Sequence, residues 1–266
     1  MRLVCSLRLV CSLLLLLCSA GAQASWWLSG DVENFRWEEA GPPTVTEKGP
    51  RYGVGWGFTR ERPSGWQWAY RGEFRRGTVN YTGALLFDPS QPLTARTRYT
   101  GLVNEGQGIY RLAHPLGIEF VGGLGLDYWE RNILPDQKED YGVVFLRLGM
   151  NLDPREPQGW FGGGGVKLPL YVAENAHFVE LGFDQNPRLE PKGRPSLYAE
   201  TGYRFTRQWS LIGYYDSYRF GESSVVRATT SDPSICSPGP APCALSFVQP
   251  ASKIDTFGLR LRYHFR

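Results

Sequence analysis

Short segments of the chain alternate apolar and polar side chains with a period of two, which is the pattern of a β-strand with one apolar face. The clearest segment places Trp66, Trp68 and Phe74 on one face, with Arg71 and Glu73 on the other. The C-terminal segment alternates Phe257, Leu259, Leu261, Tyr263 and Phe265 with Gly258, Arg260, Arg262 and His264. The chain is therefore predicted to be all-β.

Followed along the whole chain, the alternation predicts ten strands. They cover about 26–38, 50–61, 65–79, 97–113, 117–130, 140–153, 159–172, 195–206, 208–220 and 253–265. In the first strand, Leu28 and Val32 indicate one outward face, whereas Phe35 and Trp37 indicate the other, which leaves room for a β-bulge or an early loop. In the fourth strand, the outward set includes the polar Asn104.

The connections between these strands alternate in length. They are short near 62–64, 113–116, 153–158 and 206–207, and generally longer at 39–49, 80–96, 131–139, 173–194 and 221–252. Short turns on one side and long loops on the other are typical of an antiparallel up-and-down transmembrane β-barrel. A secreted or periplasmic β-sandwich, which would bury the apolar faces inside, is the alternative.

The first 24 residues have the features of a cleaved secretory signal peptide. Arg2 and Arg8 precede an apolar stretch at 9–17, and Ala22-Gln23-Ala24 fits the cleavage site. The apolar stretch is shorter than the ~20 residues that a membrane-spanning helix needs. We therefore expect residues 25–266 to form one exported domain.

Composition and charge exclude several classes of protein. Aromatic residues make up 14% of the chain and there are 32 glycines, which argues against a disordered chain and against a helical bundle. The formal net charge of +3 gives no reason to expect nucleic acid as a partner. No cofactor is expected. Cys236 and Cys243 enclose a short Pro-rich segment, and in an exported protein this spacing predicts a loop disulfide.

Together, these features resemble small bacterial outer-membrane β-barrel proteins, with the likeness covering residues 26–265. The resemblance implies a location in the outer membrane of a Gram-negative bacterium, eight to twelve strands, and contact with outer-membrane lipids and lipopolysaccharide. In such proteins an aromatic residue at the end of the last strand assists the barrel-assembly machinery. Here Arg266 follows Phe265, so the aromatic residue is the penultimate one.

If the apolar faces contact lipid, the opposite faces must fill the barrel interior with charge. The predicted lumen network contains Arg71, Glu73, Arg75, Glu119, Asp127, Arg147, Glu200, Arg204, Arg260 and Arg262. Tyr214, Asp216 and Tyr218 would share an inner face near one rim and could form a polar rim site. Aromatic residues near strand ends suit the lipid–water interfaces, namely Trp66, Trp68, Tyr128, Trp209, Tyr263 and Phe265.

Three functions fit a charge-filled outer-membrane barrel. A structural or surface-interaction role through the outer loops is favoured; a narrow passive channel and a non-classical enzyme are the alternatives. Outer-membrane lipid hydrolases need a His-x-Ser element, and omptin-like proteases need paired Asp and an Asp-x-His element, none of which occurs here. Of His114, His177 and His264, only His177 lies in a predicted outer loop. No catalytic or metal-binding residues are therefore assigned.

Overall fold

The computed structural model describes residues 24–60, 62–85, 90–135, 137–236 and 239–265. The predicted signal peptide, apart from Ala24, and the terminal Arg266 lie outside the described residues. The strands are β1 (Ala24–Glu39), β2 (Val45–Arg60), β3 (Gly65–Ala84), β4 (Pro92–Arg111), β5 (Ile118–Leu134), β6 (Gln137–Leu152), β7 (Gly159–Asn175), β8 (Arg188–Leu189), β9 (Lys192–Arg194), β10 (Ser196–Arg204), β11 (Trp209–Gly221), β12 (Val226–Thr230), β13 (Cys243–Phe247) and β14 (Ser252–Phe265). A 3-10 helix covers Phe178–Leu181. None of the helical structure in these ranges is long and apolar enough to cross a membrane.

Ten of these strands close into an antiparallel β-barrel, which confirms the predicted fold and strand number. Around the barrel the order is β1 to β7, then β10, β11 and β14. The pairing of β14 with β1, from Phe265 opposite Trp26 to Ser252 opposite Glu39, closes the ring. Two short strands extend the wall, β8 beside β7 and β9 beside β11, whereas β12 and β13 form a separate hairpin.

The two ends of the barrel differ in their connections. The end that we call the turn end carries both termini of the described chain and the connections 61–64, 112–117, 153–158 and 205–208. The opposite end, the loop end, carries 40–44, 85–91, 135–136, 176–195 and 222–251. The prediction of long links at 39–49, 80–96 and 131–139 is wrong, because strand pairing continues into these segments and shortens them.

Strand β1 needs neither a bulge nor an early loop, since it pairs without a register shift with both neighbours. Leu28 and Val32 are 47% and 45% exposed on the outer face, whereas Phe35 and Trp37 are buried inside the barrel. Inward and outward positions therefore alternate without interruption along β1. What changes beyond Val32 is which of the two faces is apolar. Towards the loop end the outward residues become polar, and the inward residues become aromatic.

The same exchange divides the whole outer face into two zones. The apolar zone lies towards the turn end, with exposed Val54, Phe74, Leu102, Leu124, Leu148, Leu197 and Leu259. The polar zone lies towards the loop end and includes Arg36, Lys48, Arg76, Arg96, Arg98, Lys138 and Lys253. Asn104 is a polar residue within the apolar zone, and it accepts a hydrogen bond from the Tyr70 hydroxyl at an Oη–Oδ1 distance of 2.5 Å. This bond offsets the cost of placing an amide in apolar surroundings.

Candidate functional site

Ion pairs between predicted inward residues fill the middle of the barrel. Arg260 binds Asp31 and also Glu73, with 2.5 Å between its Nη2 and Glu73 Oε2. Arg75 continues the chain of charges, with its Nε 3.4 Å from Glu73 Oε1 and its Nη2 3.0 Å from Asp127 Oδ2. Since each of these buried charges has a partner of opposite sign, the Coulomb attraction offsets the cost of removing them from water.

A second set of ion pairs crosses the same level of the interior. Arg71 Nη2 lies 2.8 Å from Glu105 Oε2, and Arg147 lies between two acids, 3.4 Å from Glu105 and 3.7 Å from Asp216. Lys167 Nζ completes this set at 2.6 Å from Asp216 Oδ2. Residues from strands on opposite sides of the barrel are therefore joined across its lumen.

The three residues of the predicted rim site belong to this filled interior. Tyr214 donates a hydrogen bond to Glu33 over 3.0 Å, and Tyr218 donates one to Asp127 over the same distance. Tyr218 is only 4% exposed, and Asp216 is paired as described above. Their shared inner face agrees with the alternation, but the rim position is wrong because β11 continues past them towards the loop end.

A cavity of about 650 Å³ opens at the turn end, below the charged middle layer. Six residues of the predicted network line it: Glu119, Glu200, Arg204 and Arg262, together with Arg71 and Arg147, whose ion pairs belong to the middle layer. Arg204 Nη2 lies 3.1 Å from Asp153 Oδ2, and the Arg262 guanidinium lies 4.5 Å from the ring centre of Trp27. The predicted network is thus divided between the middle layer and the wall of this cavity.

Towards the loop end, the interior changes from charged to aromatic. The largest apolar cluster of the described residues contains Phe35, Trp37, Val79, Tyr99, Val103, Trp129, Tyr141, Val143, Phe145, Val172, Tyr218, Phe220 and Ile254. Trp37 packs edge-on against Tyr141, with ring centres 5.1 Å apart, and Trp129 stacks on Tyr141 at 5.0 Å. Gly125 leaves the space that the Phe145 ring occupies, since a Cβ there would collide with it. This aromatic layer blocks the barrel above the ion pairs.

One arginine in the aromatic layer binds three glutamates that the sequence analysis did not assign. Arg131 lies 2.8 Å from Glu39, 3.1 Å from Glu47 and 2.7 Å from Glu139. Arg131 is 2% exposed, and Tyr99 adds a hydrogen bond to Glu47. These acids were placed in loops, where no face is assigned. The alternation itself was the missed signal, because Arg131 continues the inward phase of Asp127 and Trp129.

The two long connections of the loop end pack against each other and form a lobe, which we define as residues 176–195 and 222–251. Phe178, Phe183 and Phe247 meet at its centre, with ring centres 4.4 to 5.6 Å apart. Thr230 donates a hydrogen bond to the carbonyl of Gly182 over 2.6 Å, which joins the two connections. The lobe therefore has a hydrophobic core of its own, separate from the barrel interior.

The predicted disulfide is present in this lobe. Cys236 and Cys243 are joined, and Cys236 is buried. A turn just before the disulfide is fixed by Asp232, whose carboxylate accepts bonds from the Ser234 hydroxyl and backbone N–H. Both hydrogen bonds stabilise the ionised carboxylate, the hydroxyl bond more than the backbone bond, and they hold the pKa of Asp232 below its ordinary value. The disulfide and the Asp232 turn restrict the segment between β12 and β13 on either side of Ile235, which packs against the lobe's core.

His177 lies at the junction between the lobe and the barrel. Its Nε2 is 2.7 Å from Asp140 Oδ2, and its Nδ1 is 3.2 Å from Glu180 Oε1. The backbone of His177 has a positive φ of 48°, a conformation that is uncommon outside glycine. The contact with Asp140 attaches the start of the connection 176–195 to the loop end of β6.

The predicted interfacial aromatics lie on the outer face. Trp66 is 68% exposed and packs against Tyr110, while Trp209 and Phe265 both contact Tyr263. Trp68 packs against Phe58, and Tyr128 lies farther towards the loop end. Their assignment to the lipid–water interfaces stays a prediction.

No protein-family model matches the sequence, and no curated protein matches it either. Among solved structures, the chain is similar to the outer membrane protease OmpT from Escherichia coli, with a TM-score of 0.50 and 12% identity over 92% of this chain and 97% of that one. It also matches the transport unit of the autotransporter AIDA-I from Escherichia coli, with a TM-score of 0.45 and 9% identity over 92% and 91% of the two chains. The translocator domain of NalP from Neisseria meningitidis follows, with a TM-score of 0.43 and 11% identity over 92% and 89%.

The likeness to OmpT concerns the fold alone. The exposed apolar side chains on the outer face of this chain are those expected of a membrane-spanning barrel. A closed sheet leaves no backbone group unpaired in lipid, and here the sheet carries exposed Leu124 and Leu197 at 59% and 60%. The chain is an outer-membrane β-barrel. Contact between the apolar zone and lipid chains stays a prediction. The interior of this barrel is filled by side chains, unlike the open lumen of a wide porin.

Proposed function

We propose that this outer-membrane barrel has a non-catalytic role, in which it presents its loop-end lobe to a partner outside the cell. The orientation follows from the usual arrangement of such barrels, with short turns in the periplasm and long loops outside. The observation that supports the proposal best is the lobe's own core around Phe178, Phe183 and Phe247. A connection that only joins two strands needs no such core, whereas a binding surface gains from being held rigid.

The contents of the barrel argue against the alternative of a passive channel. Between the cavity at the turn end and the lobe, the interior spaces measure only about 40 and 20 Å³. Each space has room for no more than a few water molecules, because one water needs about 10–15 Å³ of such volume. A continuous aqueous path would need the paired side chains of the middle layer to separate.

Planar-bilayer recording tests the closed barrel. We expect the purified full chain to give no steady conductance step, because the ion pairs and the aromatic layer both block the lumen. A variant without residues 224–248 should be equally silent, since the block lies inside the barrel. Its ends can be joined by an Asn-Gly turn, because Ser223 and Gln249 are already paired by a backbone hydrogen bond of 3.0 Å. A stable, ohmic step from the folded full chain would favour the channel.

Site-specific photo-crosslinking on intact cells tests the lobe. Val225 is 66% exposed in the lobe, and a photoreactive residue placed there should yield an adduct with an extracellular component. Leu116 is the matched control, because it is similarly exposed at 56% but lies at the turn end. An adduct from both positions, or from neither in every growth condition of the native host, would contradict a partner at the lobe.

A further inference from the structure

A group of four basic residues, which we call the basic patch, covers the outer wall of three neighbouring strands. It consists of Lys48 on β2, Arg76 on β3, and Arg96 and Arg98 on β4, all of them exposed. Within the described residues of these strands, no outward position carries an acidic side chain. On the neighbouring strands that flank the patch, the bases are paired with acids: Lys138 Nζ lies 3.5 Å from Glu130, and Lys253 Nζ lies 2.5 Å from Glu38. Positive charge is therefore concentrated on one side of the barrel.

Strand register brings the four side chains close together. Arg76 lies opposite Thr100, and Arg98 lies opposite Thr78, so the two arginines are diagonal neighbours. Diagonal neighbours on one face of an antiparallel pair are about 7–8 Å apart, within reach of long side chains. Lys48 and Arg96 both lie opposite Asn80, one on each side, which separates them by about two strand spacings, or roughly 10 Å. The patch can therefore offer several cations to one multiply charged anion.

The height of the basic patch on the wall matches the level of lipid phosphates. Arg76 is the next outward residue after Phe74, the last large apolar outward residue of β3, and lies about 7 Å farther along the strand. On β4, Arg98 lies nearer the loop end than Leu102, and one outward residue, Thr100, separates them. Headgroups occupy roughly 5–8 Å above each side of the hydrocarbon layer, and arginine side chains can extend along the wall to meet them.

We propose that the basic patch binds the phosphate groups of an outer-leaflet lipid, so that the barrel carries a lipid-specific site on one wall. The apolar zone directly below it, with Val54, Phe74 and Leu102 exposed, would contact the acyl chains of the same molecule. Phosphate attracts arginine strongly because the guanidinium donates two parallel hydrogen bonds to its oxygens. The proposal does not depend on the role of the lobe, since the patch lies on the barrel wall.

Native mass spectrometry of the full-length barrel, titrated with lipid A, tests the site. The probes are diphosphorylated lipid A and the same lipid without phosphates. We expect the wild type to bind the diphosphorylated form, and R96Q/R98Q to bind it about thirtyfold more weakly. That factor corresponds to about 1 kcal/mol for each basic residue near an anionic lipid surface. R96K/R98K should have an affinity between those of R96Q/R98Q and the wild type, because it keeps both charges but loses the paired hydrogen bonds of the guanidinium.

The matched control is K192Q/R194Q, which removes the same charge from exposed positions of β9, beside β11 on the opposite side of the barrel, and should bind like the wild type. Heat-shifted migration in SDS gels checks that each variant is folded. Three results would each overturn the proposal: equal binding by R96Q/R98Q and wild type, an equal loss in K192Q/R194Q, or equal affinity for lipid A without phosphates.

Discussion

Replacing Arg131 with Met should reduce the free energy of unfolding by about 3–5 kcal/mol, the range seen when one partner of a buried ion pair is removed. Arg131 is 2% exposed and touches Glu39, Glu47 and Glu139. Met has a similar length and fills much of the same space, so the loss reports on charge rather than on volume. Without the guanidinium, the carboxylates face one another in an apolar layer. The midpoint of urea unfolding in lipid vesicles, followed by tryptophan fluorescence, measures the change.

One variant serves as a control for R131M, and a second set of changes should restore part of the lost stability. K138M removes a base whose partner, Glu130, is 3.5 Å away at the surface, and it should cost less than about 1 kcal/mol. R131M combined with E47Q and E139Q should recover at least half of the loss, because two of the repelling charges are then absent. If that combination unfolds as easily as R131M alone, the cluster is not held by charge, and the explanation fails.

The barrel itself could be predicted from the sequence because lipid imposes one rule on every strand. Each strand that crosses the apolar layer must put apolar residues outward, and the period of two then fixes which residues face inward. This is why Arg71, Asp127 and Arg260 could be placed inside from their positions alone. Which of them pair could not be predicted, since Arg260 and Glu73 lie on strands far apart in the chain.

The rule fails where the strands leave the lipid. Beyond Val32 on β1, the outward residues are polar and the inner face is closed by packing, so the apolar side is now the inner one. For this reason the sequence pattern around Phe35 and Trp37 resembles a change of phase, although the strand is regular. For the same reason Glu47 and Glu139, which are inward strand residues, resemble loop residues in the sequence. A polarity exchange in a continuous alternation marks the membrane boundary. Read in that way, the same pattern would have predicted the long strands of the loop end.

The lobe was beyond sequence analysis for a different reason. Its core joins residues of two connections that are separated by β10 and β11, so no local pattern relates Phe178 to Phe247. Only the disulfide, which lies within one connection and spans seven positions, could be predicted from spacing. Loop cores of this kind become visible only when the barrel has brought the ends of distant strands together.

Replacing Trp37 with Ala should cost about 3–5 kcal/mol, the range for removing a large aromatic side chain from a packed core. Trp37 is fully buried, contacts the rings of Trp129 and Tyr141, and supports the Arg131 guanidinium 4.8 Å from its own ring centre. Its loss would leave a cavity beside the charged cluster, and the neighbours are held by strands that cannot move inward. Urea unfolding in vesicles measures the loss.

W66A is the matched control, because Trp66 is 68% exposed on the outer face and its described ring contact is with Tyr110 alone. If aromatic residues stabilise this barrel mainly by lipid contact, W66A should cost as much as W37A. If the inner aromatic layer is a packed core, the cost of W37A should be several times larger, since lipid fills the space left by an outer side chain but nothing fills the inner one. The ratio of the two losses therefore compares packing inside the barrel near the loop end with side-chain contact on its outer face near the turn end.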